Sequence, residues 1–169
     1  MNRLRRSIRA AGAAVLLPAA VAGCGVKPTG VIDAGEPASG LTKGMRLYFA
    51  SDTGLRGVPR PDLKVKDLND TFKLLLAGPD EAERQSGLTS LVRSIKSYRA
   101  TGEAGRIVVE APEAYLRPED RLLLGQLVCS LARTYSVLHP EVRPDDVRVT
   151  LRPQGEPLGP YHCSPFLAG

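Results

Sequence analysis

The hydrophobic and polar positions divide the chain into three parts: a short apolar run, a stretch without periodicity, and a long patterned region. The apolar run covers residues 10–22. Residues 25–44 contain five glycines and two prolines but no apolar repeat, which predicts a flexible tether. From Met45 onward apolar residues recur with the periods of strands and helices, so a folded region is expected over residues 45–169.

Several segments have the pattern of β-strands. Residues 45–50 alternate apolar and polar side chains, as do residues 147–151, and residues 106–111 are rich in β-branched side chains. Residues 55–61 fit a short edge strand that is limited by its prolines. Residues 88–99 fit either a helix or a strand at a sheet edge.

Two longer segments have the pattern of helices. Asp67 is suited to cap the first, and Gly78-Pro79 ends it. Its apolar positions are Leu68, Phe72, Leu75 and Leu76. Residues 80–84 predict one further turn, with Pro79 near its first position. The second long helix is expected to begin at Pro118. Its apolar face consists of Leu124, Val128, Leu131 and Tyr135.

These elements predict an α+β fold in the order β-α-β-β-α-β. A small, mostly antiparallel sheet with two helices on one face would satisfy this order. Residues 156–169 are rich in proline and glycine and are expected to form a tail.

The N-terminal segment has the layout of a bacterial lipoprotein signal. Four arginines precede the apolar run, which ends in Val-Ala-Gly before Cys24. The run has 13 residues, whereas a membrane-spanning helix needs about 20, so a cleaved signal is favoured over a transmembrane anchor. We therefore predict a signal peptide over residues 1–23, lipidation of Cys24, and a location on the extracytoplasmic face of the cell membrane. The pair Arg5-Arg6 leaves twin-arginine export open beside ordinary secretion.

Removal of the signal changes the charge of the chain. The full sequence has 23 Lys and Arg against 18 Asp and Glu. Four of these basic residues precede Cys24, so the mature chain has 19 against 18. No basic footprint for a nucleic acid remains, and nucleic-acid binding is excluded as an expected function.

Two cysteines, Cys129 and Cys163, remain once Cys24 is assigned to lipid. Disulfides persist outside the cytoplasm, so a bond between the two is favoured. It would close a 35-residue loop and contribute roughly 3–4 kcal/mol. Two free thiols, or a zinc site that includes His139 and His162, are the alternatives. The adjacent residues His162 and Cys163 do not match the ligand spacing of structural zinc sites, so we predict no metal site and no cofactor.

Residues 72–88 read FKLLLAGPDEAERQSGL, which resembles the LLAGPtxxErxxGL signature of the GerMN domain. Residues 46–49 resemble the first strand of that family, residues 124–131 its second helix, and residues 147–150 its closing strand. The resemblance spans roughly residues 45–155, and within it only residues 75–88 form a specific motif.

The resemblance implies a non-catalytic extracytoplasmic module that is linked to the cell wall or to signalling. GerMN domains occur in sporulation and germination lipoproteins and in an actinobacterial lipoprotein that associates with a sensor kinase. The family has no agreed catalytic residues, so none are transferred to this chain. The sequence departs from larger members because it has neither a second copy nor a propeller-like extension, and because it adds the Cys129/Cys163 pair.

The sequence offers little catalytic chemistry. It has no G-x-S-x-G, H-E-x-x-H or P-loop motif. Ser130 lies within the second predicted helix without a nearby histidine, and residues 119–120 are better explained as acids at a helix start than as an acid–base pair. A charged cluster inside the family-like motif is either a solvated helical turn or a partner-facing patch. It consists of Glu81, Glu83 and Arg84.

The expected function is therefore a membrane-anchored, non-catalytic interaction module of the cell envelope. The chain would contact membrane lipid through Cys24, and its folded part would contact an envelope protein or peptidoglycan. A small-ligand-binding lipoprotein is the alternative, although the mature chain is short for a two-lobed binder. An envelope hydrolase is the least favoured hypothesis.

Overall fold

The computed structural model of the protein describes residues 44–167. The predicted signal peptide (1–23), the lipidation site Cys24 and all of the predicted tether except Gly44 lie outside these residues. The strands are β1 (Arg46–Ser51), β2 (Gly54–Pro59), β3 (Arg99–Glu103), β4 (Arg106–Glu110), β5 (Arg148–Arg152) and β6 (Leu158–Tyr161). The helices are α1 (Leu68–Ala77), α2 (Glu81–Gln85), α3 (Arg121–Leu138) and α4 (Ser164–Leu167), with short 3-10 turns at Val92–Ser94 and Pro144–Asp146. None of these helices is both long and apolar enough to cross a membrane.

The strands form two sheets, and the two main helices α1 and α3 pack with them. Strands β1 and β2 make an antiparallel hairpin. The second sheet has the order β3-β4-β5-β6, in which the β4–β5 pair is parallel and the other pairs are antiparallel. The predicted α+β class and the mostly antiparallel pairing are confirmed. The single sheet in the order β-α-β-β-α-β is wrong, because β1 pairs with β2 across a tight turn instead of joining the larger sheet.

The ambiguous segment 88–99 forms neither a regular helix nor a strand over most of its length. A 3-10 turn at Val92–Ser94 buries Val92 and Ile95, and β3 begins only at Arg99. A spacing of three residues places these two apolar side chains on the same side of a 3-10 turn. Neither the helical nor the strand period therefore describes this segment.

The predicted start of the second long helix and the predicted C-terminal tail also differ from the structure. Helix α3 begins at Arg121 instead of Pro118, because the carboxylate of Asp120 accepts a hydrogen bond from the backbone of Arg117 and closes a separate turn. The expected tail contains β6 and α4. Strand β6 forms because Leu158 pairs with Leu151 of β5 and is buried there.

Helix α1 follows the predicted local signals. The side chain of Asp67 accepts hydrogen bonds from the backbone of Asn69 and Asp70, at 2.8 and 3.1 Å. Gly78 ends the helix with a φ of 81°, a conformation that glycine adopts without strain. Phe72 and Leu75 are fully buried, as the helical period predicts. Pro79 precedes the cap residue of α2, Asp80, and so lies outside the turn that it was expected to begin.

The amide side chain of Asn69 connects α1 to the edge strand β3. Its Oδ1 accepts a hydrogen bond from the backbone N–H of Ala100 at 2.8 Å, and its Nδ2 donates to the carbonyl of the same residue at 3.4 Å. One side chain therefore satisfies both backbone groups of Ala100, as a neighbouring strand would.

Helix α3 is buried around its whole circumference over residues 124–132, and it contacts both sheets. Its polar side chains are satisfied by distant backbone groups: Ser130 Oγ accepts from the N–H of Tyr48 in β1 at 2.9 Å, and Gln126 Oε1 accepts from the N–H of Leu91 at 2.9 Å. Gly125 permits the closest packing, because a Cβ atom there would lie 2.8 Å from Cβ of Phe166. The helix is therefore the element on which the other parts are assembled.

Candidate functional site

The C-terminal segment 158–167 is fixed against α3 by three kinds of contact. A disulfide joins Cys129 of α3 to Cys163, with Cα atoms 4.6 Å apart. The ring of Phe166 packs at Gly125, and the Arg121 guanidinium lies over that ring and donates a hydrogen bond to the carbonyl of Pro165. The structure thus forms the cysteine pair favoured by the sequence. No group of three or more metal-ligating side chains occurs within residues 44–167.

An open groove with a volume of about 800 Å³ lies beside this disulfide. Three separate parts of the chain form it: β1, the end of α3 with the loop that follows, and the C-terminal segment. Its apolar walls include Val137, Val142, Pro144 and Leu167. Its polar positions are Tyr48, Arg133, Ser136, Arg143 and Asp145.

The rim of the groove combines exposed charge with exposed apolar surface. Arg143 and Asp145 lie 3.9 Å apart, and their side chains are 78% and 67% exposed, so they form a loose pair. Leu167, which also lines the groove, is 47% exposed. Nδ1 of His162 lies 3.0 Å from the carbonyl of Asp145, which connects the C-terminal segment to the turn at Pro144–Asp146. Apolar walls with polar groups at the rim are typical of protein interfaces and of ligand pockets.

The structure divides the predicted charged cluster into a structural residue and an exposed pair. Both carboxylate oxygens of Glu83 accept hydrogen bonds from the guanidinium of Arg60, each at 2.6 Å. Glu83 also forms a reciprocal capping box with Asp80. Its side chain is only 14% exposed, so its contacts hold α2 against the end of β2.

Glu81 and Arg84 remain on the surface and pair with each other at 2.6 Å. Their side chains are 71% and 47% exposed. The proposed partner-facing role therefore stays a prediction for these two residues, whereas Glu83 is occupied within the fold.

We expect Glu83→Gln to destabilise the protein by about 1 kcal/mol at pH 7, because glutamine keeps one acceptor oxygen for Arg60 but removes the negative charge from this largely buried pair. The hydrogen-bonded guanidinium of Arg60 holds the pKa of Glu83 below its ordinary value of 4.5. The stabilisation is therefore complete above the unfolded-state pKa and is lost as the pH falls through the lower, folded-state pKa. Urea unfolding of both proteins across acidic to neutral pH should show a difference that shrinks at acidic pH.

The matched control for this prediction is Glu81→Gln. The hydrogen bond from Arg84 also lowers the pKa of Glu81, but the pair is exposed, and little change in the free energy of unfolding is expected. Equal losses from the two substitutions would contradict the structural role of Glu83.

The serine, threonine and histidine side chains that could act as nucleophiles or bases make contacts with other groups of the fold. Ser130 accepts a hydrogen bond from Tyr48, and Thr134 Oγ1 lies 2.6 Å from Thr71 Oγ1 in the interior. Nδ1 of His139 lies 3.6 Å from Glu141, and His162 approaches a backbone carbonyl. Within the described residues neither histidine bonds to a serine or threonine hydroxyl, so these groups do not form a nucleophile with an oriented base.

Comparison of the chain with family models, curated proteins and solved structures finds no match. The GerMN resemblance thus stays a prediction, and its motif residues have local roles in the fold. Gly78 and Gly87 adopt φ angles of 81° and 84°, Asp80 and Glu83 cap α2, and Leu88 is buried. The motif builds the connection between α1 and the 3-10 turn.

Sequence reasoning missed the groove because its residues are distant along the chain. The alternating pattern around Tyr48 indicates a strand and nothing more. Val142 and Arg143 belong to a loop without periodicity. Pro140 and Pro144 at the two ends of that loop were the available signal. They mark an ordered connection but do not indicate what packs against it.

Proposed function

We propose that the protein is a lipoprotein anchored through Cys24 on the extracytoplasmic face of the cell membrane, where its folded part is a non-catalytic interaction module of the cell envelope. Its partner is an envelope protein or peptidoglycan. The observation that carries this proposal is the open groove beside the Cys129–Cys163 bond, with apolar walls and a charged rim. The GerMN-like motif supports the same function, and the lipoprotein signal that ends before Cys24 supports the same location.

The way in which the groove is held favours a binding role. The disulfide-bonded cysteines line the groove together with residues of α3 and of the C-terminal segment. The pairing of β6 with β5 and the packing of Phe166 at Gly125 hold that segment in place. A preorganised surface loses little conformational freedom on binding, which favours affinity. Exposed Leu167 lines the groove together with Arg143 and Asp145, and interfaces typically combine apolar and polar surface in this way.

Photo-crosslinking in living cells tests this proposal. The variant Arg143→p-benzoylphenylalanine places the crosslinker at the rim of the groove, and Arg93→p-benzoylphenylalanine places it at another exposed arginine, in the turn Val92–Ser94. Reproducible capture of one envelope component from position 143 and not from position 93 is the expected result. Identical capture from both positions, or none from position 143, would contradict the proposed groove.

A third variant tests the anchor. Cys24→Ser removes the thiol that would carry lipid, so the chain should leave the membrane fraction, and capture from position 143 should fall. Retention of Cys24→Ser in the membrane fraction would show that another part of the chain holds it there.

A small-ligand-binding lipoprotein is a second candidate because the groove volume, about 800 Å³, lies within the range of about 300–1,000 Å³ that is usual for ligand pockets. A metabolite that raises the melting temperature of the protein, but not that of Val142→Trp, which fills the groove, would favour this function. A screen in which no metabolite has this effect would favour a macromolecular partner over a small ligand.

A further inference from the structure

The four-stranded sheet has one face that no described element covers. Ile107, Val109, Val149 and Leu151 point to the buried side, where α1 and α3 contact the sheet. The alternate residues of β3, β4 and β5 form the opposite surface, which we call the open face. It consists of Arg99, Thr101, Glu103, Arg106, Val108, Glu110, Arg148, Thr150 and Arg152.

The pairing register arranges these side chains in three rows that cross the strands. The first row is Arg99–Glu110–Arg152, the second is Thr101–Val108–Thr150, and the third is Glu103–Arg106–Arg148. Neighbouring strands lie about 4.8 Å apart, and successive rows are about 6.6 Å apart along a strand. Two charged rows therefore border a central row of small, neutral side chains.

The two charged rows contain four arginines but only two glutamates, so the face has more guanidinium groups than acidic partners. Arg152 donates to Glu110 at 2.9 Å, whereas Arg99, Arg106 and Arg148 make no ion pair within residues 44–167. Arg106 and Arg148 are also direct neighbours across the parallel pair β4–β5. Like charges in such positions oppose sheet pairing. Glu103 neighbours Arg106 on its other side, so the row keeps one positive charge in excess, at Arg148, which a bound anion would balance.

The central row forms the floor of a channel. Its side chains offer the two hydroxyls of Thr101 and Thr150, with Val108 between them. A cavity of about 380 Å³ opens at the β3 end of this row, where Glu103 and Arg106 form one wall. The floor is low because these side chains are short, and the walls are high because arginine and glutamate are long.

We propose that the open face binds a carboxylate-bearing glycan strand that lies in this channel, across the direction of the β-strands. Guanidinium groups on both sides of the channel bind carboxylates through paired, charge-assisted hydrogen bonds. Glu103 and Glu110 accept hydrogen bonds from sugar hydroxyls, and the threonine hydroxyls accept or donate along the floor. The inference rests on the proposed function only for its location, the cell envelope, where such polymers are present.

The mixed charge of the face fits this occupant better than an anionic lipid surface, and the excess of arginines at the β5 end fits it better than a second copy of the chain. A surface of anionic lipid would meet Glu103 and Glu110 together with the arginines and would leave the channel empty. A second copy of the chain, placed by a two-fold axis along the central row, would pair Arg99 with Glu103 and Arg106 with Glu110. It would leave Arg148 against Arg152 of its neighbour, so the arginines at the β5 end would stay in excess. A polymer with both hydroxyls and carboxylates satisfies the acids and the arginines together.

The test measures binding of the full-length chain to soluble peptidoglycan fragments that are released by muramidase digestion. The same fragments with their carboxylates converted to amides are the chemical control. The native fragments should bind at least about tenfold more tightly than the amidated fragments, because amidation removes the charge-assisted bonds. Arg148→Gln and Arg106→Gln should each weaken binding of the native fragments about tenfold, while Arg148→Lys should retain part of the affinity.

Arg56→Gln is the matched protein control, since Arg56 is an exposed arginine on a strand of the other sheet. It should bind the native fragments as the parent does. Arg148→Gln removes a like-charge contact, so the variant should fold, and its melting temperature provides the check.

Each contrary result overturns the inference. These results are equal binding of native and amidated fragments, no binding of either, or equal losses from Arg148→Gln and Arg56→Gln. Dimerisation that Arg106→Gln abolishes, or arginine-dependent binding to vesicles of phosphatidylcholine and phosphatidylglycerol without binding to the glycan, would assign the face to another occupant. Specific capture from position 143 would leave the proposed function standing in all of these cases.

Discussion

The double variant Cys129→Ala/Cys163→Ala should lose roughly 3–4 kcal/mol of unfolding free energy relative to the parent. The disulfide connects residues 34 positions apart, so its removal restores the conformational freedom of a long loop to the unfolded chain. Alanine is the suitable replacement because both cysteines are almost completely buried, and a serine hydroxyl there would need a new partner. Urea unfolding monitored by circular dichroism measures the loss.

Reduction of the parent provides an independent control for this result. After complete reduction of the unfolded chain, refolding in reductant should give a similar loss, with two buried thiols in place of two alanines. An unfolding midpoint of the double variant that equals that of the oxidised parent would contradict the prediction. The pairing of β6 with β5 and the packing of Phe166 would then be sufficient to hold the C-terminal segment.

Phe72→Ala should destabilise the protein by about 3–5 kcal/mol. The Phe72 side chain is fully buried in α1, and its ring stacks on that of Tyr98 with centroids 4.3 Å apart. Truncation removes this contact and leaves a cavity that surrounding side chains fill only in part. Thermal and urea unfolding of the variant measure the effect.

Phe72→Leu separates the two contributions. Leucine keeps most of the apolar volume but not the ring, so a loss of about 1.5 kcal/mol or less is expected. Similar losses for Phe72→Leu and Phe72→Ala would show that the stacked ring, and not the filled volume, dominates at this position.

Local signals predicted the parts of the fold that depend on neighbours in the sequence. Asp67 caps α1 and Gly78 ends it because each acts on backbone groups within four residues. The period of 3.6 residues placed Phe72 and Leu75 in the core, and the two-residue period placed Val149 and Leu151 there. These inferences need no knowledge of the rest of the chain.

Partner choice between distant segments was not predictable in this way. Gln126 and Ser130 have a polar character that suggests a solvated side of α3, yet both are buried because the backbone groups of Leu91 and Tyr48 bond to them. Arg60 and Glu83, 23 residues apart, meet for the same kind of reason. The residues that line the candidate groove also come from distant parts of the chain. Tertiary contacts therefore form the groove, and local sequence patterns do not predict it.

The two hydrogen bonds between the Asn69 side chain and the backbone of Ala100 obstruct the β3 edge of the larger sheet. Exposed edge strands recruit further strands, and folded proteins block this by occupying the edge. Since Asn69 already bonds to the N–H and the carbonyl of Ala100 in β3, an added strand would have to displace its side chain. Two copies of the chain would therefore have to break these two hydrogen bonds before they could pair edge to edge through β3.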